Sequence, residues 1–148
     1  MRLLLQRVSR AEVRVAGRRV GACGPGLAIF VGVGHEDSDS TAEVMARRTA
    51  GLRMFRDAAG LTNLSLLDVG GQALVVSQFT LYADTRAGRR PSFLGAARPE
   101  AGERLYERFA SALEGLGVTV GRGSFGAEME VELVDDGPFT ISLDSAAR

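Results

Sequence analysis

The sequence predicts an α+β domain in which a mostly antiparallel or mixed β-sheet is combined with two main helices. Several extended apolar segments and two stretches with helical spacing support this class, and they lack the regular alternation that parallel βαβ units require. The 148 residues are close to the usual size of one domain, and no internal repeat or linker interrupts them. A single domain over residues 1–148 is therefore expected.

The first half contains extended segments and one helix. Residues 3–8 form an apolar run, residues 13–15 place arginine between valines, and the apolar run 27–33 between glycines is typical of a strand buried on both faces. Ser40 and Glu43 fit a capping box at the start of the helix. The positions that then share one face at helical spacing are Ala42, Met45, Ala46, Thr49 and Leu52.

The second half contains a long extended segment, a loop, a second helix and further strands. Residues 74–81 predict a strand with a polar interior, and a loop with glycines and a proline follows it. Pro99 in a first-turn position opens the second helix. Its buried stripe is predicted to be Leu105, Phe109, Leu113 and Leu116. Alternation over residues 128–133 predicts a half-buried strand, a turn follows at 135–138, and residues 139–143 form the last strand.

The composition is that of an ordinary globular protein. Hydrophobic residues make up 45% and charged residues 24%, which excludes a disordered chain, and no apolar run of about 18 residues is present to span a membrane. The single cysteine, Cys23, cannot form an internal disulfide, which fits a reducing cytosol and a cytoplasmic location. The apolar run near the start is interrupted by arginines after three leucines, so no leader is expected to be cleaved.

The charges balance in total but are unevenly placed. Eighteen basic and eighteen acidic residues cancel, so no bulk positive field favours indiscriminate nucleic-acid binding. Every basic residue is arginine, and the absence of lysine excludes Schiff-base chemistry and a P-loop lysine. Six arginines fall within residues 1–20, whereas residues 128–144 hold six acids and no base. The neutral total is compatible with one basic face and equally with a solvated surface.

Several common catalytic and metal-binding arrangements are missing from the sequence. His35 is the only histidine, so a metal cage built on imidazoles is not predicted, and a Ser-His-Asp triad would have to use it. Cys23 has no activating base nearby in sequence and is interpreted as a small core residue. Gly32-Val33-Gly34 lacks the third glycine of a dinucleotide fingerprint. Neither a metal nor a cofactor is therefore predicted.

Two segments are candidates for a functional site, and each can also be interpreted as an ordinary structural feature. The first, Ser77-Gln78-Phe79-Thr80, alternates its side chains between the two faces of the predicted strand. It is either a strand end that meets water or a pocket floor where backbone N–H groups and hydroxyls meet a carbonyl. The second, Asp136-Gly137-Pro138-Phe139-Thr140, is first of all a turn. A cis bond before Pro138 would instead aim two successive carbonyls the same way, as an acceptor pair for an ammonium group.

Specific blocks occur in a fixed order over nearly the whole chain. They are Gln6-Arg7-Val8-Ser9-Arg10-Ala11, Ser77-Gln78-Phe79-Thr80-Leu81-Tyr82-Ala83-Asp84, Arg89-Arg90-Pro91-Ser92-Phe93, Phe125-Gly126-Ala127-Glu128-Met129 and Gly137-Pro138-Phe139-Thr140. Together they resemble the D-aminoacyl-tRNA deacylase family. Asp135 departs from that pattern, because asparagine is expected two residues before the glycine.

The resemblance implies the barrel-like α+β fold of that family and an enzyme that hydrolyses the ester between a D-amino acid and the terminal ribose of tRNA. It also implies a homodimer in which Gly137-Pro138, with a cis bond, reaches into the partner's active site and leaves no room for an L side chain. Glycine has no side chain to exclude, so glycine mischarged on alanine tRNA is an expected substrate. Arg7 is expected to brace the Gly-Pro turn, and Phe139, Thr140 and Met129 complete the predicted substrate site.

The predicted catalytic residues Ser77, Gln78, Phe79 and Thr80 leave two mechanisms open. In one, Thr80 is the nucleophile, although no histidine or lysine base is in view. In the other, the ribose 2′-hydroxyl or a water does the chemistry while the backbone N–H groups of Phe79 and Thr80 hold the oxyanion. The second is favoured because an aminoacyl ester is already activated. By the same resemblance, the candidate tRNA contacts are Arg7, Arg86, Arg89 and Arg90.

Two other functions remain as alternatives. A non-catalytic dimeric nucleic-acid-binding protein would need an extended basic or aromatic surface, and 6% aromatic residues without tryptophan offer little stacking area. A hydrolase of small D-amino acid esters or peptides would need no arginines that face tRNA. Cleavage of D- and L-aminoacyl-tRNA separates all three functions.

Overall fold

The computed structural model describes residues 1–147, which contain eight strands, two α-helices and one 3₁₀ helix. The strands are β1 (Arg2–Val15), β2 (Arg18–Cys23), β3 (Gly26–Gly32), β4 (Arg53–Arg56), β5 (Thr62–Ser65), β6 (Gln72–Ser77), β7 (Thr119–Arg122) and β8 (Glu130–Asp144). The helices are α1 (Asp39–Gly51) and α2 (Pro99–Gly115), and the 3₁₀ helix spans Phe79–Tyr82. The predicted class, α+β with two main helices, is confirmed. Neither helix is long and apolar enough to cross a membrane.

The main sheet is mixed and follows the order β2-β1-β3-β6-β7, with β8 also paired to β1. Strand β1 is antiparallel to β2, β3 and β8, whereas β6 is parallel to both β3 and β7. Strand β3 lies inside this sheet, and all but one of its residues are buried. Its position explains why residues 27–33 are apolar without alternation. Strands β4 and β5 form a separate hairpin.

The sheet nearly closes into a barrel where β2 approaches β7. A Cβ atom on Gly21 would lie 2.1 Å from the carbonyl oxygen of Arg122, and a Cβ atom on Gly121 would lie 2.3 Å from that of Ala22. No side chain fits between the two backbones at these distances. One glycine on each strand, facing the backbone of the other, therefore permits the closure that gives the sheet its barrel-like form.

The two α-helices pack against each other and bury the predicted stripe of α2. Leu105, Phe109 and Leu113 are each no more than 2% exposed, and Pro99 occupies the first turn as predicted. Leu116, also placed in the stripe, instead forms the exposed C-terminal cap, because the helix ends one residue before it.

The predicted capping box at Ser40 and Glu43 is wrong. Helix α1 begins earlier, since the Ser38 hydroxyl accepts a hydrogen bond from the Thr41 N–H, and the Thr41 hydroxyl accepts one from the Ser38 N–H. Glu43 instead accepts a hydrogen bond from Arg108 on α2. A tertiary ion pair thus uses the carboxylate that the local pattern assigned to the cap.

Two further sequence predictions differ from the structure near the candidate chemistry. Strand β6 ends at Ser77, so residues 78–81 do not continue the extended segment. Strand β8 is continuous from Glu130 to Asp144, so residues 135–138 do not separate two strands. Instead, the register with β1 passes from the pair Gln6–Thr140 to the pair Val8–Asp135, which leaves residues 136–139 as a bulge opposite Arg7.

Candidate active site

The Ser77–Thr80 segment lies at the end of β6, where the chain changes from strand to 3₁₀ helix. The Gln78 N–H still donates to the carbonyl oxygen of Val31 on β3, at 2.7 Å. Beyond it the backbone bonds become local, because the Leu81 N–H donates to the Gln78 carbonyl and the Ala83 N–H to the Thr80 carbonyl, at 3.3 and 3.0 Å. The predicted alternation of side chains between two faces is therefore wrong after Ser77.

This change of backbone leaves two neighbouring N–H groups without an acceptor. The first N–H groups of a helix have no preceding carbonyl to bond. Within residues 1–147, neither the Phe79 N–H nor the Thr80 N–H donates to any protein atom. The Gln78 side-chain amide donates to the Thr80 hydroxyl, and both Phe79 and Thr80 are exposed. The segment thus presents a pair of backbone donors beside a polar side-chain pair.

A mainly apolar cavity of about 620 Å³ lies beside this backbone turn. Ser77, Gln78 and Phe79 line one side of it, and the Phe79 ring packs edge-on against Phe93 with centroids 5.0 Å apart. The remaining walls come from the ends of β3 and β6, the start of α2, and the segment before β8. Their lining residues are Val31, Val33, Val76, Ala96, Ala97, Pro99, Gly102, Phe125, Gly126, Ala127, Met129 and Val131.

Met129 belongs to this cavity, as the sequence predicts, and a local hydrogen bond holds its side chain. Its sulfur accepts from the Ser124 N–H at 3.3 Å, and Gly123 leaves room for that sulfur, since a Cβ there would lie 2.8 Å from it. The sequence does not predict Phe93 and Phe125 as site residues. Their position within the specific blocks Arg89–Phe93 and Phe125–Met129 was the available signal.

The second predicted group lies on β8, apart from this cavity within one chain. The peptide bond between Gly137 and Pro138 is cis, and both residues are exposed. Neither residue, nor Phe139 or Thr140, lines the cavity of the same chain. The structure therefore gathers Ser77, Gln78, Phe79 and Met129 at one place, whereas the Gly-Pro bulge and its neighbours lie at another.

The side chain of Arg7 contacts the Gly-Pro bulge and fixes it. Its side chain is 5% exposed; Nε donates to the Asp136 carbonyl at 2.9 Å, and Nη1 donates to the Met54 carbonyl at 2.6 Å. The guanidinium also lies over the Phe139 ring, 4.8 Å from its centroid. The Asp136 carboxylate is 3.5 Å from Nε. Arg7 thus ties the bulge to strand β4 with charge-assisted hydrogen bonds.

Asp135, the departure from the family pattern, is bound at both carboxylate oxygens. One accepts from the Phe139 N–H at 3.3 Å, and the other accepts from the Gln6 side-chain amide at 3.1 Å. An asparagine could accept the first bond equally well, whereas its NH₂ group would require the Gln6 amide to turn over. The aspartate therefore keeps the bulge fixed to β1.

Three of the four predicted tRNA-contacting arginines, Arg86, Arg89 and Arg90, lie on the loop that follows the 3₁₀ helix, away from the cavity. The fourth, Arg7, is buried on β1 and bonded to main-chain carbonyls, so its prediction as a tRNA contact is wrong. Arg86 forms a two-pronged ion pair with Asp84, and this contact holds the pKa of that carboxyl well below its usual range. Arg89 and Arg90 are exposed and form no ion pair with any residue of 1–147. They are therefore available to an external anion.

His35 and Cys23 both lie outside the cavity. The His35 ring nitrogen Nε2 is 2.7 Å from the Leu94 carbonyl, and the ring is exposed. Cys23 is buried, and burial raises the pKa of its thiol to about 11, so it is not a thiolate at neutral pH. Within the described residues, no group of three histidine, cysteine or acidic side chains is arranged to hold a metal.

Comparison with known proteins gives a consistent relationship over the whole chain. A family model described as D-Tyr-tRNA(Tyr) deacylase matches residues 4–144. The chain is 59% identical to the D-aminoacyl-tRNA deacylase of Roseiflexus castenholzii, over 99% of this chain and 93% of that one. It is 57% identical to the enzyme of the same name from Paracoccus denitrificans, over 100% and 99% of the two chains. The chain belongs to the D-Tyr-tRNA(Tyr) deacylase family.

Solved structures of similar fold agree with this assignment. A structure titled c-Myc DNA Unwinding Element Binding Protein superposes with a TM-score of 0.93 at 36% identity, covering 99% of this chain and 100% of its own. A probable eukaryotic D-amino acid tRNA deacylase superposes with a TM-score of 0.83, covering 96% and 97% of the two chains. Its 18% identity supports the fold alone. The resemblance found in the sequence blocks is thus confirmed at the level of family and fold.

Proposed function

We propose that this member of the deacylase family hydrolyses the ester between a D-amino acid and the terminal ribose of tRNA. D-aminoacyl-tRNA deacylase is the name of its relatives at more than 50% identity over nearly the whole chain. The observation that carries the proposal is the pair of unbonded backbone N–H groups at Phe79 and Thr80, beside a cavity of about 620 Å³. A cavity of that volume is within the range of small-molecule sites and can accommodate an aminoacyl-adenosine end.

The chemistry proposed for the site is stabilisation of an oxyanion by the main chain. The tetrahedral intermediate of ester hydrolysis places negative charge on the former carbonyl oxygen, and two fixed N–H donors stabilise that charge. A water molecule attacks the ester carbon, with the ribose 2′-hydroxyl relaying its proton to the departing 3′-oxygen of the tRNA. No strong base is needed, because an aminoacyl ester is already activated. Thr80 is the alternative nucleophile, yet its hydroxyl is bonded to the Gln78 amide, which is not a base.

We further propose that D-selectivity comes from the Gly137–Pro138 bulge of a second subunit. The bulge is exposed, is fixed by Arg7, and does not line the cavity of its own chain, as a segment that serves a partner requires. Its main-chain oxygens would hold the substrate α-amino group so that an L side chain meets the cavity wall. Glycine has no side chain to meet the wall, so glycine charged on alanine tRNA is also proposed as a substrate.

The tRNA is proposed to contact Arg86, Arg89 and Arg90 through its phosphates. Phosphate contacts of this kind contribute affinity without sequence selectivity and weaken as salt concentration rises. A protein that acts on aminoacyl-tRNA would work in the cytoplasm, where that substrate is found. Neither a metal nor a cofactor takes part in the proposed reaction.

The proposal is tested with D-Tyr-tRNA, L-Tyr-tRNA and a D-Tyr-tRNA that ends in 2′-deoxyadenosine. Release of tyrosine from the first substrate alone is expected if the 2′-hydroxyl takes part, and Thr80→Ala should keep much of that rate. Loss of activity in Thr80→Ala with full activity on the 2′-deoxy substrate would instead identify Thr80 as the nucleophile. Equal release from the D and L forms would contradict the proposed selection.

A non-catalytic nucleic-acid-binding dimer is the second candidate. The structural relative titled as a DNA unwinding element binding protein is the observation that favours it. Under that function neither ester would be cleaved, while tRNA or DNA would still bind and elute with salt. Cleavage of small D-amino acid esters that is insensitive to salt would point instead to a hydrolase without a tRNA partner.

A further inference from the structure

The short 3₁₀ helix that bears the two free N–H groups is not held in place by its own packing. None of its four residues is buried. A single turn of 3₁₀ helix also has too few internal hydrogen bonds to be stable alone. The bond from Gln78 to Val31 and the Phe79–Phe93 contact hold the start of the helix. The direction of the Phe79 and Thr80 N–H groups then also depends on contacts made at the other end, by Leu81 and Tyr82.

Arg2 holds this end of the helix from β1. Its Nη1 donates to the Leu81 carbonyl at 3.0 Å, and its guanidinium lies over the Tyr82 ring, 4.6 Å from the centroid. Its Nε donates to the Asp144 carboxylate on β8, also at 3.0 Å. The Asp144 carboxylate thus fixes the Arg2 guanidinium, which in turn binds the Leu81 carbonyl and the Tyr82 ring.

Gly34 and Asp37 also contact Tyr82. A Cβ on Gly34 would lie 2.5 Å from the Tyr82 hydroxyl oxygen, so the ring occupies the space that any side chain would need. Asp37 accepts the Gly34 N–H at 2.7 Å and the Tyr82 hydroxyl at 3.4 Å. Burial, with the nearby Asp37 charge, raises the pKa of the Tyr82 phenol, so it keeps the proton it donates.

The glycine pair Gly32 and Gly34 follows from the same packing. A Cβ on Gly32 would lie 3.0 Å from both the Gln78 carbonyl oxygen and the Leu81 Cβ. The Gly32-Val33-Gly34 segment, which does not fit a dinucleotide site, therefore provides the surface on which the 3₁₀ helix rests.

We infer that Arg2, Gly34 and Asp37 form a Tyr82 seat that positions the Phe79 and Thr80 N–H groups for catalysis. This inference rests on the proposed deacylase function. The three residues do not line the cavity, so they are positioning residues. Loosening the seat lets the N–H pair move relative to the oxyanion while the cavity walls remain. The rate of the chemical step falls and substrate binding stays nearly the same.

The test compares Arg2→Ala with Arg10→Ala. Both arginines lie on β1 and pair with an acid on β8, Arg2 with Asp144 at 3.0 Å and Arg10 with Glu132 at 2.7 Å, but only Arg2 touches the 3₁₀ helix. Since small displacements of catalytic groups can cost up to about a hundredfold, we expect Arg2→Ala to lower kcat roughly tenfold with KM within about twofold. Arg10→Ala should change neither value, and Arg2→Lys should recover part of the rate.

Hydrogen exchange of the Leu81 and Ala83 amides provides a readout that does not depend on activity. We expect faster exchange at both amides in Arg2→Ala and in Gly34→Ala, and wild-type exchange in Arg10→Ala. Should Arg2→Ala not fold, Tyr82→Phe removes only the hydroxyl, and a lower kcat at unchanged KM is again expected.

Wild-type kcat and wild-type exchange in these variants would overturn the inference. A wild-type protein that cleaves no D-aminoacyl-tRNA would overturn the proposed function instead, and the exchange measurement would still report whether the seat holds the helix.

Discussion

Replacing Arg7 by methionine removes the guanidinium under the Gly-Pro bulge and keeps an unbranched apolar side chain in its place. The substitution leaves the Asp136 and Met54 carbonyls without their donors and removes the cation over the Phe139 ring. Hydrogen bonds to charged groups contribute about 1.5–3 kcal/mol each, and burial of an apolar side chain offsets part of the loss. We expect the free energy of unfolding to fall by about 3 kcal/mol.

The assay is urea unfolding of both proteins at the same concentration, because the apparent stability of an associating protein depends on its concentration. Arg10→Ala is the matched control, since Arg10 lies on the same strand in an exposed pair with Glu132 and should cost less than about 1 kcal/mol. Under the proposed function, Arg7→Met should also reduce the ratio of D- to L-Tyr-tRNA cleavage by roughly tenfold, which corresponds to about 1.4 kcal/mol of lost positioning.

A loss of unfolding free energy no greater than that of Arg10→Ala would refute the reasoning about the bulge. An unchanged D-to-L ratio in a clearly destabilised Arg7→Met protein would refute only the proposed link between the bulge and selectivity.

Three other predictions follow from contacts at separate sites. In thermal unfolding, Gly121→Ala should destabilise the protein by about 2 kcal/mol or more, because its Cβ would lie 2.3 Å from the Ala22 carbonyl oxygen. The control Gly115→Ala should be neutral or stabilising, because no atom lies within 4 Å of its Cβ. Arg89→Ala with Arg90→Ala should raise KM for aminoacyl-tRNA and reduce its salt dependence without changing kcat, and an unchanged salt dependence would contradict the phosphate contacts. The Ser65 N–H and hydroxyl lower the pKa of the Asp68 carboxyl below its unfolded value near 3.8. The ionised Asp68 therefore stabilises the fold above that pH, and this contribution is lost as the pH falls through the folded pKa. Asp68→Asn should lower Tm at neutral pH, and the two Tm values should converge in acid.

The local sequence pattern was sufficient to predict an element where the spacing of its own apolar side chains shows which face is buried. The run 27–33 is apolar throughout because β3 lies inside the sheet, and the period of Leu105, Phe109 and Leu113 identifies the buried face of α2. Both signals depend on side-chain spacing alone, so both elements could be predicted. The blocks around residues 77–80 and 137–140 also identified the two places that the proposed chemistry uses.

Local pattern failed where a distant contact decides the backbone. Glu43 fits a cap in sequence, but Arg108 on α2 takes its carboxylate. Residues 78–81 fit a strand, but β3 ends at Gly32 and no longer offers a ladder partner beyond the Val31 carbonyl. Residues 135–138 fit a turn, yet pairing with β1 on both sides keeps β8 continuous around Arg7. In each case the competing partner lies at least 40 positions away along the chain, so no local window contains it.

By itself the sequence determined the family, the class of fold and the identity of the side chains at the candidate site, because these depend on residue types and short spacings. Only the tertiary structure decided that β6 stops at Ser77, which frees two N–H groups, and that the Gly-Pro bulge lies outside the cavity of its own chain. The physical reason is that hydrogen bonding and burial are properties of pairs of segments, and the segments that meet here are brought together by the mixed sheet.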